Sequence, residues 1–282
     1  MSEYHCLVAG LPDIAFDGSK QLYTVDKFRE DVCPYLSHDD AACINLFFLA
    51  KDNENILTLL AKGSDAELAV VGCYTKNELL DIIEAVKAGD ARDSKVPSYI
   101  YDYLEFYWEK EEQGGYLWAD VLSTHYYAYA TSVKNKFLSA WFTFNLDVNN
   151  LIVAMLARKY KLNVADAVVG DNEVAEALRT SSSRDFGLSG SFEYLEAVQK
   201  LCENDRLQER EHQLDEMRWA WLDENSVFNY FTVERLFVFL QKLDIVARWA
   251  KLDSEKGMQR YTELIDDLKG GLKESVELMN VN

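Results

Sequence analysis

Residues 137–162, FLSAWFTFNLDVNNLIVAMLARKYKL, are the longest apolar run of the chain, and Asn145, Asp147, Asn149 and Asn150 interrupt it at its centre. A helix that crosses a bilayer needs roughly 20 mostly apolar residues. Asp or Asn at the middle of a lone span costs kilocalories per residue, so the stretch is expected to be a buried helix of a non-membrane bundle. At about 100° per residue, Asp147, Asn150, Ala154 and Arg158 share roughly 80° of arc, flanked by Leu151 and Met155. Ile152 and Leu156 lie on the other side with Asn149. Such a helix is wrapped nearly all round, and each polar group must find a partner. Asp147 and Asn150 are expected to bond to neighbouring segments, and Arg158 to pair with an acid from another helix or loop.

With 282 residues, 49% hydrophobic and 13% aromatic, the chain can bury one large core or two ordinary ones. Only three prolines and thirteen glycines punctuate a sequence rich in Leu, Ala, Glu, Lys and Asp, which points to an all-α, multi-helix fold. Lys and Arg number 29 against 48 Asp and Glu. A net charge of -19 repels phosphate backbones and argues against nucleic acid as a partner. The start, MSEYHCLVAGLP, has no basic region leading into a long apolar stretch, so no secretory signal is read. The five scattered cysteines are expected to be reduced, mostly buried thiols of a cytoplasmic protein.

Helix signals recur along the chain. TVDKFREDVCPYL is capped by Thr24 and stops near Pro34; the segment from Ser37 carries Asp39 and Asp40 in its first turn and ends at Gly63. Thr75 and Glu78 form a capping box ahead of Leu79, Ile82, Ile83 and Val86, with Gly89 past the end. After Pro97 an aromatic-rich helix runs to Gly114 and Gly115, which suggest a boundary between a unit at 1–113 and a second at 116–282. Residues 116–162 contain no breaker and predict one long helix or two end to end. A polar stretch at 179–191, RTSSSRDFGLSGS, predicts a mobile loop. Helices are then expected at 192–224, 232–251 and from 255, and AELAVVGCY at 66–74 is the one candidate for an extended segment.

Chemistry is scarce. Glu209 and His212 form a single Glu-x-x-His pair, whereas a di-iron bundle needs two together with carboxylates from two further helices. The pair reads as part of a solvated helix face. No close cysteine pairs, H-E-x-x-H, P-loop or Gly-x-Ser-x-Gly occur. CLVAGLPD at 6–13 resembles a strand entering a glycine turn but lacks the further glycines of a dinucleotide fingerprint. No catalytic, cofactor-binding or metal-binding residues are assigned, and the chain is not expected to be an enzyme. Aromatic groups at 99–108, 125–130 and 218–231 should mostly fill gaps between helices, with one patch left exposed for a partner.

LDVNNLIVAMLARKYKL, and more faintly LDIVARWAKLDSEKG at 243–257, resemble helix segments that recur in the C-type socket protein of V/A-type rotary ATPases, called d-type in the eukaryotic enzyme. In that family an acid, an Asn-Leu pair and a following Arg repeat in related three-helix units of an all-helical, funnel-shaped protein. Asp147, Asn150, Leu151 and Arg158 occupy those places. YHCLVAGLPDIAFD also resembles the start of a bacterial family of unknown function encoded among V-type ATPase genes. The chain is shorter than a typical C/d-type protein, shows no third repeat, and has Val246 and Ala247 where Asn-Leu would stand in the second copy. The resemblance implies a non-catalytic rotor part that couples the central shaft to the membrane proteolipid ring. It would be cytoplasmic and peripheral to the inner membrane, with no cofactor. A helical adaptor unrelated to ATPases is the main alternative, and a helical-bundle enzyme or ligand carrier stands behind it.

Overall fold

A computed structural model describes residues 4–16, 23–68 and 70–252, and every regular element among them is helical. The helix predicted from 255 onward lies outside the described residues. Eleven helices are α1 (His5–Gly10), α2 (Val25–Val32), α3 (His38–Lys62), α4 (Lys76–Ala88), α5 (Ser98–Lys110), α6 (Trp118–Thr131), α7 (Lys136–Lys159), α8 (Val164–Ala167), α9 (Glu173–Thr180), α10 (Leu195–Glu203) and α11 (Leu207–Asn225). The twelfth, α12, covers 233–252.

Side-chain caps start α2, α3, α4, α7, α8 and α9, each satisfying an amide that the first turn leaves without a partner. Thr24 accepts from Lys27 N, Ser37 from Asp40 N and Asn172 from Ala175 N. Thr75 and Glu78 close the capping box read from the sequence. Three expectations are corrected. Residues 116–162 are neither one helix nor two end to end: the chain turns at 132–135, and α6 and α7 pack as an antiparallel hairpin. Ser139 Oγ donates to Thr131 O, Tyr126 meets Phe142, and Asn149 Nδ2 reaches the Tyr127 hydroxyl. The turn needs no glycine because Asn135 caps α7 by accepting from Leu138 N. The expected helix at 192–224 is likewise divided, at 204–206, between α10 and α11. Residues 6–10 belong to α1, and the described residues 66–68 and 70–74 form no strand.

The axis of the fold is α7, which packs on α6, α8, α9, α10 and α11, while α3 packs on α4 and α6. α12 packs on α2, α3 and α7, with Phe239 stacked on Phe28, Asp244 3.5 Å from Lys51 and Phe237 against Phe142. One continuous set of buried side chains runs from Tyr4 to Leu243, on both sides of Gly114 and Gly115, and α5 packs directly on α6 across that pair. Phe28, Phe186 and Phe237 are fully buried, each contributing about 1.5–3 kcal/mol of apolar transfer free energy. Among the described residues α7 alone is long and apolar enough to cross a membrane, but 61% of its most apolar window is buried inside the protein, as befits a core helix.

Candidate functional site

The four polar residues of α7 divide into two pairs. Asp147 and Asn150, 7% and 2% exposed, face the segment that leads from α8 into α9. Asn150 makes a two-way amide contact with Val169, its Nδ2 donating to the carbonyl at 2.7 Å and its Oδ1 accepting the N–H at 3.0 Å. Asp147 Oδ1 accepts from Nδ2 of Asn172, the residue that caps α9, at 2.6 Å. Burial pushes the Asp147 carboxyl up to about 6, opposed by the Asn172 bond. Arg179 of α9 fastens the same segment from outside by donating to the carbonyls of Val168 and Gly170. Leu151 is fully buried.

Asn145 and Asn149 face the opposite way and accept from one guanidinium, Arg218 of α11, through its Nε and Nη2. Nη1 of Arg218 donates to Asp215, a fully buried carboxylate that also accepts from Arg248 and from Trp249 Nε1 of α12. A charge buried this way must be paired and hydrogen-bonded, and this one has three donors. The cluster forms the floor of a cavity of about 190 Å³ between α3, α6, α7, α11 and α12, walled by Phe47, Tyr126, Trp141 and Phe142.

Among the described residues Arg158 is paired with backbone carbonyls and not with an acid, which corrects the expectation of an ion pair. Its two terminal nitrogens donate to the carbonyls of Ser183 and Ser181, at 2.5 and 2.6 Å, and its plane lies 3.4 Å from the Phe186 ring centroid. The guanidinium fork suits two backbone acceptors as well as it suits one carboxylate. The loop at 179–191 is therefore anchored at its centre, where Phe186 is 1% exposed.

The arrangement on α7 occurs a second time. On α3, Asp52 and Asn55 stand at the same spacing and are 0% and 2% exposed. Asn55 Nδ2 donates to Val70 O, while Asp52 accepts from the N–H groups of Cys73 and Tyr74, just ahead of the Thr75 cap of α4. Burial also pushes Asp52 up to about 6, against those two bonds and the charge of Arg29. Arg29 of α2 donates to Gly72 O and Cys73 O, much as Arg179 does in the later unit. In each unit a helix bearing Asp-x-x-Asn holds the turn before a capped helix. Sequence reading missed this earlier copy, although one signal was present: AVVG at 69–72 recurs at 167–170. Both glycines sit tightly. A methyl at Gly72 would lie 1.8 Å from Asp52 Oδ1, and Gly170 has φ +76° with Leu146 Cδ2 at 3.2 Å from the same point.

The faint copy near 244 does not repeat this pattern. Asp244 faces Lys51 at 3.5 Å and Arg248 serves Asp215, so both engage side chains; residues from 253 lie outside the described region. Glu209 and His212 do not converge. Glu209 accepts from Arg206 and Asn204, whereas His212 lies edge-on to Phe16 and Trp249 and 3.3 Å from Glu216. Among the described residues no group of three or more His, Cys, Asp or Glu is placed to hold a metal ion. Burial raises the thiols of Cys33, Cys43, Cys73 and Cys202 above their ordinary range, the opposite of what activates a nucleophile.

A family model matches residues 1–272. The chain belongs to DUF2764, a family of proteins of unknown function. This DUF2764 chain matches no curated protein and no solved structure. What its geometry offers is a scaffold: two buried Asp-x-x-Asn units that hold turns in place, with their polar groups satisfied internally.

Proposed function

We propose that this protein is a non-catalytic component of a V/A-type rotary ATPase that couples the central shaft to the membrane proteolipid ring and so serves ion transport. It would act on the cytoplasmic side, peripheral to the inner membrane, contacting the shaft on one face and the cytoplasmic loops of the ring on another. The observation that carries this reading is the twofold occurrence of the Asp-x-x-Asn unit, on α3 and on α7. In the C/d-type socket protein to which the sequence bears its likeness, an acid, an Asn-Leu pair and a following Arg repeat within related helical units. The α3 copy keeps the acid and the Asn and has Ile56 and Gly63 at the other two places. Inward-facing polar groups suit a rigid part that transmits torque, and the net charge would speed docking on basic partner surfaces.

Affinity purification from native membranes, in low salt and mild detergent, tests the proposal. The wild-type chain is expected to bring down the shaft and ring proteins. Recovery without any ATPase component would sink it. The alternative of an adaptor unrelated to ATPases gains from the exposed aromatic loop between α11 and α12, which would serve any docking protein.

A further inference from the structure

Most of the aromatic load is inside the fold, but residues 226–232 between α11 and α12 carry theirs outside. Phe228 is 89% exposed, Tyr230 64%, Val227 52% and Phe231 38%. The loop is held at its base, where Ser226 is buried and its carbonyl accepts from Asn229 N. Phe231 O accepts from Tyr4 N at 2.6 Å, and the Phe231 ring lies 4.1 Å from that of His5. Phe228 and Tyr230 are left to project. Large aromatics cost apolar hydration when held in water, and on a loop fixed at its base they are what interface anchors look like.

The surroundings of the loop are acidic. Tyr4 joins it to the start of α3, since the Tyr4 hydroxyl donates to Asp40 at 2.6 Å and accepts from Ser37 N. Asp39 beside it is fully exposed. Asp40 next to it is half-buried, and Glu234, which opens α12 after the loop, is buried and accepts from Asn135, so Asp39 is the carboxylate this corner presents to solvent. Tyr35, 69% exposed, lies two residues before Ser37 at the same corner.

We infer that the 226–232 loop and the acidic start of α3 together form a docking surface for a basic helical segment of a partner protein, one carrying Lys or Arg beside an apolar stripe. Charge complementarity selects this occupant. An anionic bilayer would be repelled by these carboxylates and by a net charge of -19. A second copy docking face to face would set Asp39 against Asp39. The inference goes beyond the coupling reading and does not rest on it.

The test uses the full chain and two synthetic amphipathic helices, one of Leu and Lys and one of Leu and Glu, with binding read by fluorescence anisotropy. The Leu/Lys helix is expected to bind and the Leu/Glu helix not to. The double variant Phe228→Ser, Tyr230→Ser should weaken Leu/Lys binding about ten-fold or more, and Asp39→Asn should flatten its salt dependence. These side chains are exposed, so the fold should be kept, and an unchanged circular dichroism melt confirms it. Leu/Lys affinity unaffected by the double variant would overturn the proposal. So would loop-dependent binding to neutral or anionic lipid vesicles, or a loop-dependent dimer in sedimentation.

Discussion

Asp147 and Asp52 keep their carboxyls in places that penalise charge, and this sets a pH dependence with a definite sign. Both groups have folded pKa values near 6, above the usual 3.8. The folded state therefore binds more protons than the unfolded chain between those values. The stability they contribute is full below about pH 4 and is lost as pH rises through about 6. Asp147→Asn keeps the acceptor for Asn172 and removes the charge. It is expected to match the wild type in urea melts at about pH 3.5 and to exceed it by about 1–2 kcal/mol at about pH 7.5, a discounted share of the ~1.4 kcal/mol per pKa unit. An Asp147→Asn variant with the wild-type pH slope would show that the carboxyl is solvated. Asn150→Leu instead strands both the N–H and the C=O of Val169, and chemical unfolding should report a loss of about 2–4 kcal/mol. The need of these residues for partners was legible in the sequence, because an apolar helix cannot leave amides unpaired. The partner of Arg158 was not, since carbonyls satisfy a guanidinium as well as an acid does and backbone acceptors leave no mark on composition.

At the scale of elements, Arg158 joins α7 to the 181–186 stretch through two carbonyl bonds and a stacked ring. Lysine has no fork and no plane, so Arg158→Lys should release that stretch while α7 stays folded. Trypsin cleavage at the exposed Arg184 is expected to quicken about ten-fold, with amide exchange rising across 181–192 and unchanged in α7. Cleavage at the wild-type rate would show that Phe186 holds the loop unaided. Helix identity was legible wherever a cap and a periodic face coincided, as at Thr75 and Ser37. The two unforeseen breaks share a cause. Asn135 and Asn204 turn the chain with side-chain acceptors, at Leu138 N and Arg206 N, where neither glycine nor proline marks the spot. Asn135 lies in a run otherwise suited to helix, so its cap shows only when the packing of α6 on α7 is known.

For the whole molecule, 48 acidic side chains against 29 basic ones load the compact state with self-repulsion. Raising sodium chloride from about 20 to 200 mM should screen it and lift the melting temperature by about 2–4 °C, the equivalent of ~1 kcal/mol for a chain of this size. A melting point indifferent to salt would mean that the acids are already neutralised locally. The all-helical class was legible from composition and helix signals. The twofold unit was only half so: Asp52 and Asn55 lie in a stretch unlike 144–162 in its other residues, and the recurring AVVG ends twenty residues beyond Asp52 but twenty-three beyond Asp147. Direct comparison of the two segments thus slips out of register between helix and turn. The crowding at Gly72 has a consequence in descent. Any side chain there would strike the carboxylate of Asp52, so the two positions cannot drift independently. Related chains that place a larger residue at the first should have lost the acid at the second, and the two losses should fall on the same branches of the family tree.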